Sequence, residues 1–188
     1  MTQLPYIRIP GATGVHHLGL TVPDLSSAVA FFTEVLGAEV LYRLGTVSDP
    51  DGSWMSDHLN VHEHAAVEIA MLRFGPTTNI ELFEYRAPDQ RRRHPRNSDW
   101  GGHHLAVWTE DFDASFAYLE RQQGVVPLGE SDVVDGGPIA GTRWIYFSTP
   151  VGLYLELVSA PTGLAYEEDT PARLFRPEKP ETSAGKVP

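Results

Sequence analysis

The chain contains no cysteine, which excludes disulfides, thiolate metal sites and cysteine nucleophiles. Basic residues are scarce: 14 Lys and Arg stand against 25 Asp and Glu, for a formal net charge of −11. That balance argues against nucleic acid and anionic membrane surfaces as partners. No apolar run approaches the roughly 18 residues that cross a bilayer. Residues 1–13 lack the basic start and apolar core of a signal peptide, so a cytoplasmic protein is the expectation. No Gly-rich phosphate loop and no Ser/His/Asp arrangement is recognisable. At 188 residues the chain is long enough for one compact domain, or two fused half-domains sharing a core. One local exception to the acidic balance is Arg91-Arg92-Arg93-His94. It reads as a solvated linker or, more sharply, as a clamp for an anionic substrate tail.

What the chain has instead is a duplication. Gly14-Val15-His16-His17-Leu18 returns 87 positions later as Gly101-Gly102-His103-His104-Leu105. With no gap, Asp24 then matches Asp111, Ala30 matches Ala117, Gly37 matches Gly124 and Leu41 matches Leu128. Each copy opens with strand alternation, over Val15 to Val22 in the first. A helix pattern follows, capped by Asp24 or Asp111 and ended by Gly37 or Gly124. Leu25, Ala28, Phe31, Phe32 and Val35 carry the first helical stripe; Phe112, Phe116 and Leu119 carry the second. Strand-like runs come next, at 39–44, 65–74 and 78–85, then at 125–130, 142–147 and 154–158.

The expected fold class is therefore α+β: two βαβββ modules forming a cup-shaped mixed sheet with helices on the outer face. The expected division is an N-terminal arm over 1–13, a first module over 14–85, a linker over 86–100, a second module over 101–160, and a Pro-rich C-terminal tail over 161–188. The stretch 46–64 is too long for a tight turn and reads as an element covering one face.

Strand parity separates the two members of each histidine pair, because neighbouring side chains point to opposite faces. His16 shares parity with Leu18, Leu20 and Val22, the apolar set that packs under the helix. His17 goes with Gly19 and Thr21. Likewise His103 goes with Leu105 and Val107, and His104 with Ala106 and Trp108. In the last strand of each half, Glu81 points away from Ile80 and Leu82, together with Asn79, Phe83 and Tyr85. Glu156 points away from the leucines, together with Tyr154. Carboxylates inside such apolar strands are costly unless they are paired or bind a metal. His17, Glu81, His104 and Glu156 thus form a four-ligand set for one divalent ion, with Mn, Fe, Co, Ni and Zn all compatible.

These motifs resemble the vicinal oxygen chelate superfamily, which includes glyoxalase I, methylmalonyl-CoA epimerase, extradiol dioxygenases and bleomycin or fosfomycin resistance proteins. The likeness covers roughly residues 14–160 and rests on four stretches. They are His17-Leu18-Gly19-Leu20-Thr21-Val22-Pro23-Asp24, Ile80-Glu81-Leu82-Phe83-Glu84, His104-Leu105-Ala106-Val107, and Gly152-Leu153-Tyr154-Leu155-Glu156-Leu157-Val158. The family's ligand positions fall on His17, Glu81, His104 and Glu156. The resemblance implies a metal-dependent isomerase, epimerase or lyase. Its substrate would be a small molecule with a carbonyl or vicinal oxygens, with Glu81 or Glu156 as the catalytic base. The extra carboxylate at Glu81 is more similar to the glyoxalase and epimerase branch. An Fe(II) extradiol-type dioxygenase using His17, His104 and Glu156, and a non-catalytic binding or resistance protein, are the alternatives.

Substrate-pocket candidates are Trp54, Asn79, Phe83, Trp108, Arg143 and Tyr154. Arg143 also reads as a member of a surface ion pair. Asp57 and His58 share the long loop with Trp54, and His62 and His64 read as exposed. A homodimer is expected from the resemblance.

Overall fold

The computed structural model describes residues 9–177. The start of the expected arm (1–8) and the end of the expected tail (178–188) lie outside the described residues. The first half contains β1 (Leu18–Thr21), α1 (Leu25–Ala30), β2 (Glu39–Ser48), α2 (Trp54–Leu59), β3 (Ala66–Phe74) and β4 (Thr78–Arg86). The second contains β5 (His104–Trp108), α3 (Phe112–Glu120), β6 (Val126–Pro127), β7 (Asp132–Val133), β8 (Arg143–Ser148) and β9 (Tyr154–Ser159). Among the described residues, no helix is long and apolar enough to cross a membrane.

The duplication survives as topology. The first sheet has the order β1-β4-β3-β2 and the second β5-β9-β8-β6, with β7 also paired to β8. In both, the opening strand lies parallel to the last, and the other pairings are antiparallel. The expected mixed α+β architecture is what is found. The two halves differ at the outer edge. β2 runs for ten residues with two register shifts, whereas its counterpart is broken into β6 and β7. Pro127 has no N–H for the ladder, and Gly129 follows with φ of +84°.

The helix ends follow the chemistry of their sequences. Asp24 Oδ1 accepts from the Ser27 N–H at 2.7 Å, and Glu84 Oε2 accepts from the Leu25 N–H at 2.8 Å. Two of the orphan donors at the start of α1 are thereby satisfied, and the bond from Ser27 holds the Asp24 carboxyl below its ordinary pKa. At the start of α3, Asp111 Oδ1 accepts from the Ala114 N–H at 3.1 Å. α1 passes into a π-turn at Phe31–Val35, where Thr33 Oγ1 donates back to the carbonyl of Val29.

Both helices are followed by a glycine with positive φ, Gly37 at +74° and Gly124 at +77°. A Cβ at Gly37 would meet nothing within 4 Å, but at Gly124 it would stand 2.9 Å from Pro150 Cβ. Gly37→Ala should therefore cost about 1–2 kcal/mol for the left-handed backbone alone. Gly124→Ala should cost measurably more, seen as the larger drop in urea midpoint. Equal losses would show that Pro150 yields freely.

One continuous core joins the halves. Leu20, Val22, Leu25, Phe32, Leu72, Ile80 and Leu82 pack in the same cluster as Phe112, Leu119, Ile145, Phe147, Leu155 and Leu157. This is the helix-facing side of both sheets. A second, small cluster lies on the opposite face of the first sheet, where Met55 of α2 is fully buried with Ala65 and Val67. The long stretch 46–64 thus does cover a face, and Met55 anchors it.

Candidate functional site

The parallel pairing of first and last strands builds the same local arrangement twice. In β1/β4, Leu18 stands beside Ile80 and Gly19 beside Glu81. In β5/β9, His104 stands beside Tyr154 and Ala106 beside Glu156. Each histidine therefore sits one alternation before its glutamate, on the face away from the helices. His17 Nε2 lies 3.0 Å from Glu81 Oε2, and His104 Nε2 lies 2.9 Å from Glu156 Oε2. Both glutamate side chains are 17% exposed, and both histidines are open to solvent at 39% and 34%. Gly19 leaves room for this face to pack: a Cβ there would stand 3.1 Å from the Phe83 ring.

The other members of the histidine pairs have local tasks. His16 Nδ1 lies 2.8 Å from His17 Nδ1, so when His17 donates its Nε2–H to Glu81, its Nδ1 accepts from His16. Asn79 Nδ2 donates to the His16 carbonyl at 2.9 Å, while its Oδ1 accepts from Arg73 Nε at 2.7 Å. Asn79, expected to line a substrate pocket, has both ends of its amide engaged in holding the backbone before His17. His103 Nδ1 bonds the Gly101 carbonyl.

The structure joins the four expected ligands as two pairs. Among the described residues, no group of three or more His, Asp or Glu is placed to hold one ion. The donor atoms themselves fit a divalent metal. Two ligands at about 2.1 Å from one ion, at right angles, stand about 3 Å apart, which is the spacing found within each pair. Imidazole nitrogen with carboxylate oxygen is also the donor chemistry that first-row divalent ions accept.

The remaining candidates scatter. Phe83 lies on the same face as Glu81, stacked on Tyr85 at 5.7 Å. Tyr154 faces with Glu156 and meets the His94 ring edge-on at 5.5 Å. Trp108 lies beneath the Arg176 guanidinium at 4.8 Å. Trp54 is exposed and stacks on His58. Arg143 shares parity with Ile145 and Phe147, over the Phe112 ring and 2.8 Å from Asp113. It sits on the helix side, away from Glu156, in the ion pair that its sequence context also suggested. His64 is exposed and His62 half-buried, with their rings 5.5 Å apart. Arg91 and Arg92 are exposed at a recess of about 400 Å³ that Thr21 and Tyr85 also line.

Sequence reasoning passed over Tyr146. It lies across β8/β9 from Glu156, and its ring meets His104 edge-on at 4.9 Å. Its phenol is pushed above its ordinary pKa by burial first, then by the charge of Glu156 and a hydrogen bond to it. Its parity with Trp144, opposite to Ile145 and Phe147, is the signal that places it on this face. In the first half, Tyr85 is likewise raised, by burial and then by the charge of Glu81.

Residues 16–146 match the family model described as the glyoxalase/bleomycin resistance protein/dioxygenase superfamily. A protein of Actinomyces sp. named 2-epi-5-epi-valiolone epimerase is 57% identical over 170 residues, covering 90% of this chain and 92% of the relative. A glyoxalase family protein from Bacillus cereus superposes with a TM-score of 0.62 at 22% identity, over 82% of this chain and 99% of that one. Glyoxalase I of Leishmania major superposes with a TM-score of 0.52 at 22% identity, over 79% of this chain and 87% of that one. These two structures speak for the fold.

Proposed function

Because this chain belongs to the glyoxalase/bleomycin resistance protein/dioxygenase superfamily, we propose that it is a divalent-metal-dependent epimerase, inverting a carbon next to the carbonyl of a small hydroxylated ketone. The substrate we propose is 2-epi-5-epi-valiolone, for which the 57% identical relative is named. The observation that carries the reading is the repeated His–Glu pair, with the same atoms at the same spacing in each half. His17, Glu81, His104 and Glu156 are the residues that would hold the ion. A bound divalent ion supplies Lewis-acid polarisation of the substrate carbonyl.

The rest of the chemistry belongs to the chain. Epimerisation breaks one C–H bond and remakes it on the opposite face, so a proton is taken and a proton is returned, with no net redox change. A carboxylate on one face of the carbon takes the proton, and an acid on the opposite face, in exchange with solvent, returns one. Glu81 turns Oε2 toward His17 Nε2, and we assign its other oxygen to take the proton. Met71 stands beside Glu81 across β3/β4 and Phe83 follows it on the same face, so the carboxylate has apolar neighbours. That Glu81 is turned toward His17, rather than away from it, supports the epimerase over the dioxygenase, which would use a three-residue ligand set without it.

The test is direct. Protein loaded in turn with Mn, Co, Ni and Zn is incubated with 2-epi-5-epi-valiolone in deuterated water and followed by NMR. We expect a second epimer and deuterium at the inverted carbon. Neither epimer nor deuterium with any of the four metals would sink the proposal.

A further inference from the structure

The basic run Arg91-Arg92-Arg93-His94 has no part in the two His–Glu pairs. It follows β4, between the two halves. Arg91, Arg92 and His94 line a recess of about 400 Å³ together with Thr21 and Tyr85, and Arg93 does not. Among the described residues, the side chains of Thr21, Tyr85, Gln90, Arg91 and Arg92 make no hydrogen bond or ion pair. The carboxylate in the same recess is already satisfied. Glu84 Oε2 accepts from the Leu25 N–H at 2.8 Å, and its Oε1 accepts from Arg86 at 3.1 Å. Arg86 and Glu84 thus offset each other, and Arg91 and Arg92 leave the recess positive in a chain of net charge −11. A long polyanion would meet the negative field of the whole chain. A small anion within about 8 Å of these guanidiniums feels mainly them at physiological salt. An adjoining recess of about 510 Å³ shares Thr21, Tyr85, Gln90 and Arg91, and adds Asn60 and Asp89. An amide and a carboxylate suit hydroxyl groups, and Asp89 repels a second anion.

We propose that the Arg91–Arg92 recess binds a phosphate monoester of a small polyol, with the phosphoryl group on the two guanidiniums and the hydroxyls in the adjoining recess. A guanidinium presents its N–H donors in a fork that matches a phosphate. Two of them match the near-double charge of a monoester at neutral pH. The Tyr85 hydroxyl donates a further bond, its ring steadied by stacking on Phe83 at 5.7 Å. Thr21 lies four residues beyond His17, roughly 13 Å along an extended strand. The site is therefore separate from the His17–Glu81 pair, and it does not rest on the epimerase reading.

The test uses the full chain with EDTA present, so that no metal ion holds the phosphate. Calorimetric titration with glucose 6-phosphate should show saturable binding at one site, and titration with glucose should show none. Arg91→Gln and Arg92→Gln should each weaken binding of glucose 6-phosphate about tenfold, and Tyr85→Phe should do the same while keeping the ring. Arg93→Gln removes an equal charge outside the recess and should change binding less than about twofold. Arg91, Arg92 and Arg93 are exposed, so these three variants should keep the wild-type thermal midpoint. Four results would each overturn the proposal. They are no saturable binding by the wild type, glucose binding as tightly as its phosphate, undiminished binding by either recess arginine variant or by Tyr85→Phe, and a loss in Arg93→Gln equal to that in Arg92→Gln.

Discussion

If the chain is the proposed epimerase with Glu81 as its base, Glu81→Gln is expected to lower the rate of epimerisation, and of solvent deuterium exchange, by about 10²–10⁴-fold, the range expected for loss of a positioned general base. The substitution is nearly isosteric. The amide oxygen of Gln can still stand beside His17 Nε2, while the group can no longer take up a proton at neutral pH. The loss should therefore fall on kcat, with KM and thermal midpoint little changed. Glu156→Gln acts on the carboxylate paired with His104 and should show itself first as weaker metal uptake. Steady-state kinetics of the two variants at saturating metal separate the roles. Full turnover by Glu81→Gln would remove Glu81 from the chemistry.

The second large effect is on stability. Phe147 is fully buried in β8, in contact with Phe116 of α3. Truncation to alanine leaves a cavity that neighbours on a rigid sheet cannot close, at a cost of about 3–5 kcal/mol. Against a typical domain stability of about 5–15 kcal/mol, that is a large fraction. Phe147 also shares its cluster with Leu20, Phe32 and Leu82 of the first half, so the damage should not stay local. Urea unfolding of Phe147→Ala should remain a single transition at a lower midpoint, with fluorescence and far-UV dichroism coincident. A wild-type-like first half that melts later would show that the halves hold separate cores.

Much of this architecture is legible in the residues because it depends on periods. A strand alternates every second residue and a helix returns about every fourth, so the faces of His17, Glu81, His104 and Glu156 follow from their neighbours in the chain. The caps at Asp24 and Asp111 are equally local. The first strand is shorter than its alternation suggests: Val15 to His17 precede β1, because pairing begins only where Leu18 meets Ile80. The broken edge β6/β7 was not visible as such in the run over 125–130, since whether an edge stays paired depends on the ladder beside it.

Parity by itself thus determined which side chains share a face, and that one histidine and one glutamate in each half face away from the helices. Only the tertiary structure decided that these four meet as two close pairs, that Arg143 turns to Asp113, and that Glu156 faces a tyrosine where Glu81 faces a methionine. The reason is physical. Alternation is a property of one strand, whereas the residue opposite depends on the register between strands. That register is set by turns such as the one where Thr149 Oγ1 bonds the Leu153 backbone, and by the shared core that the paired strands bury together.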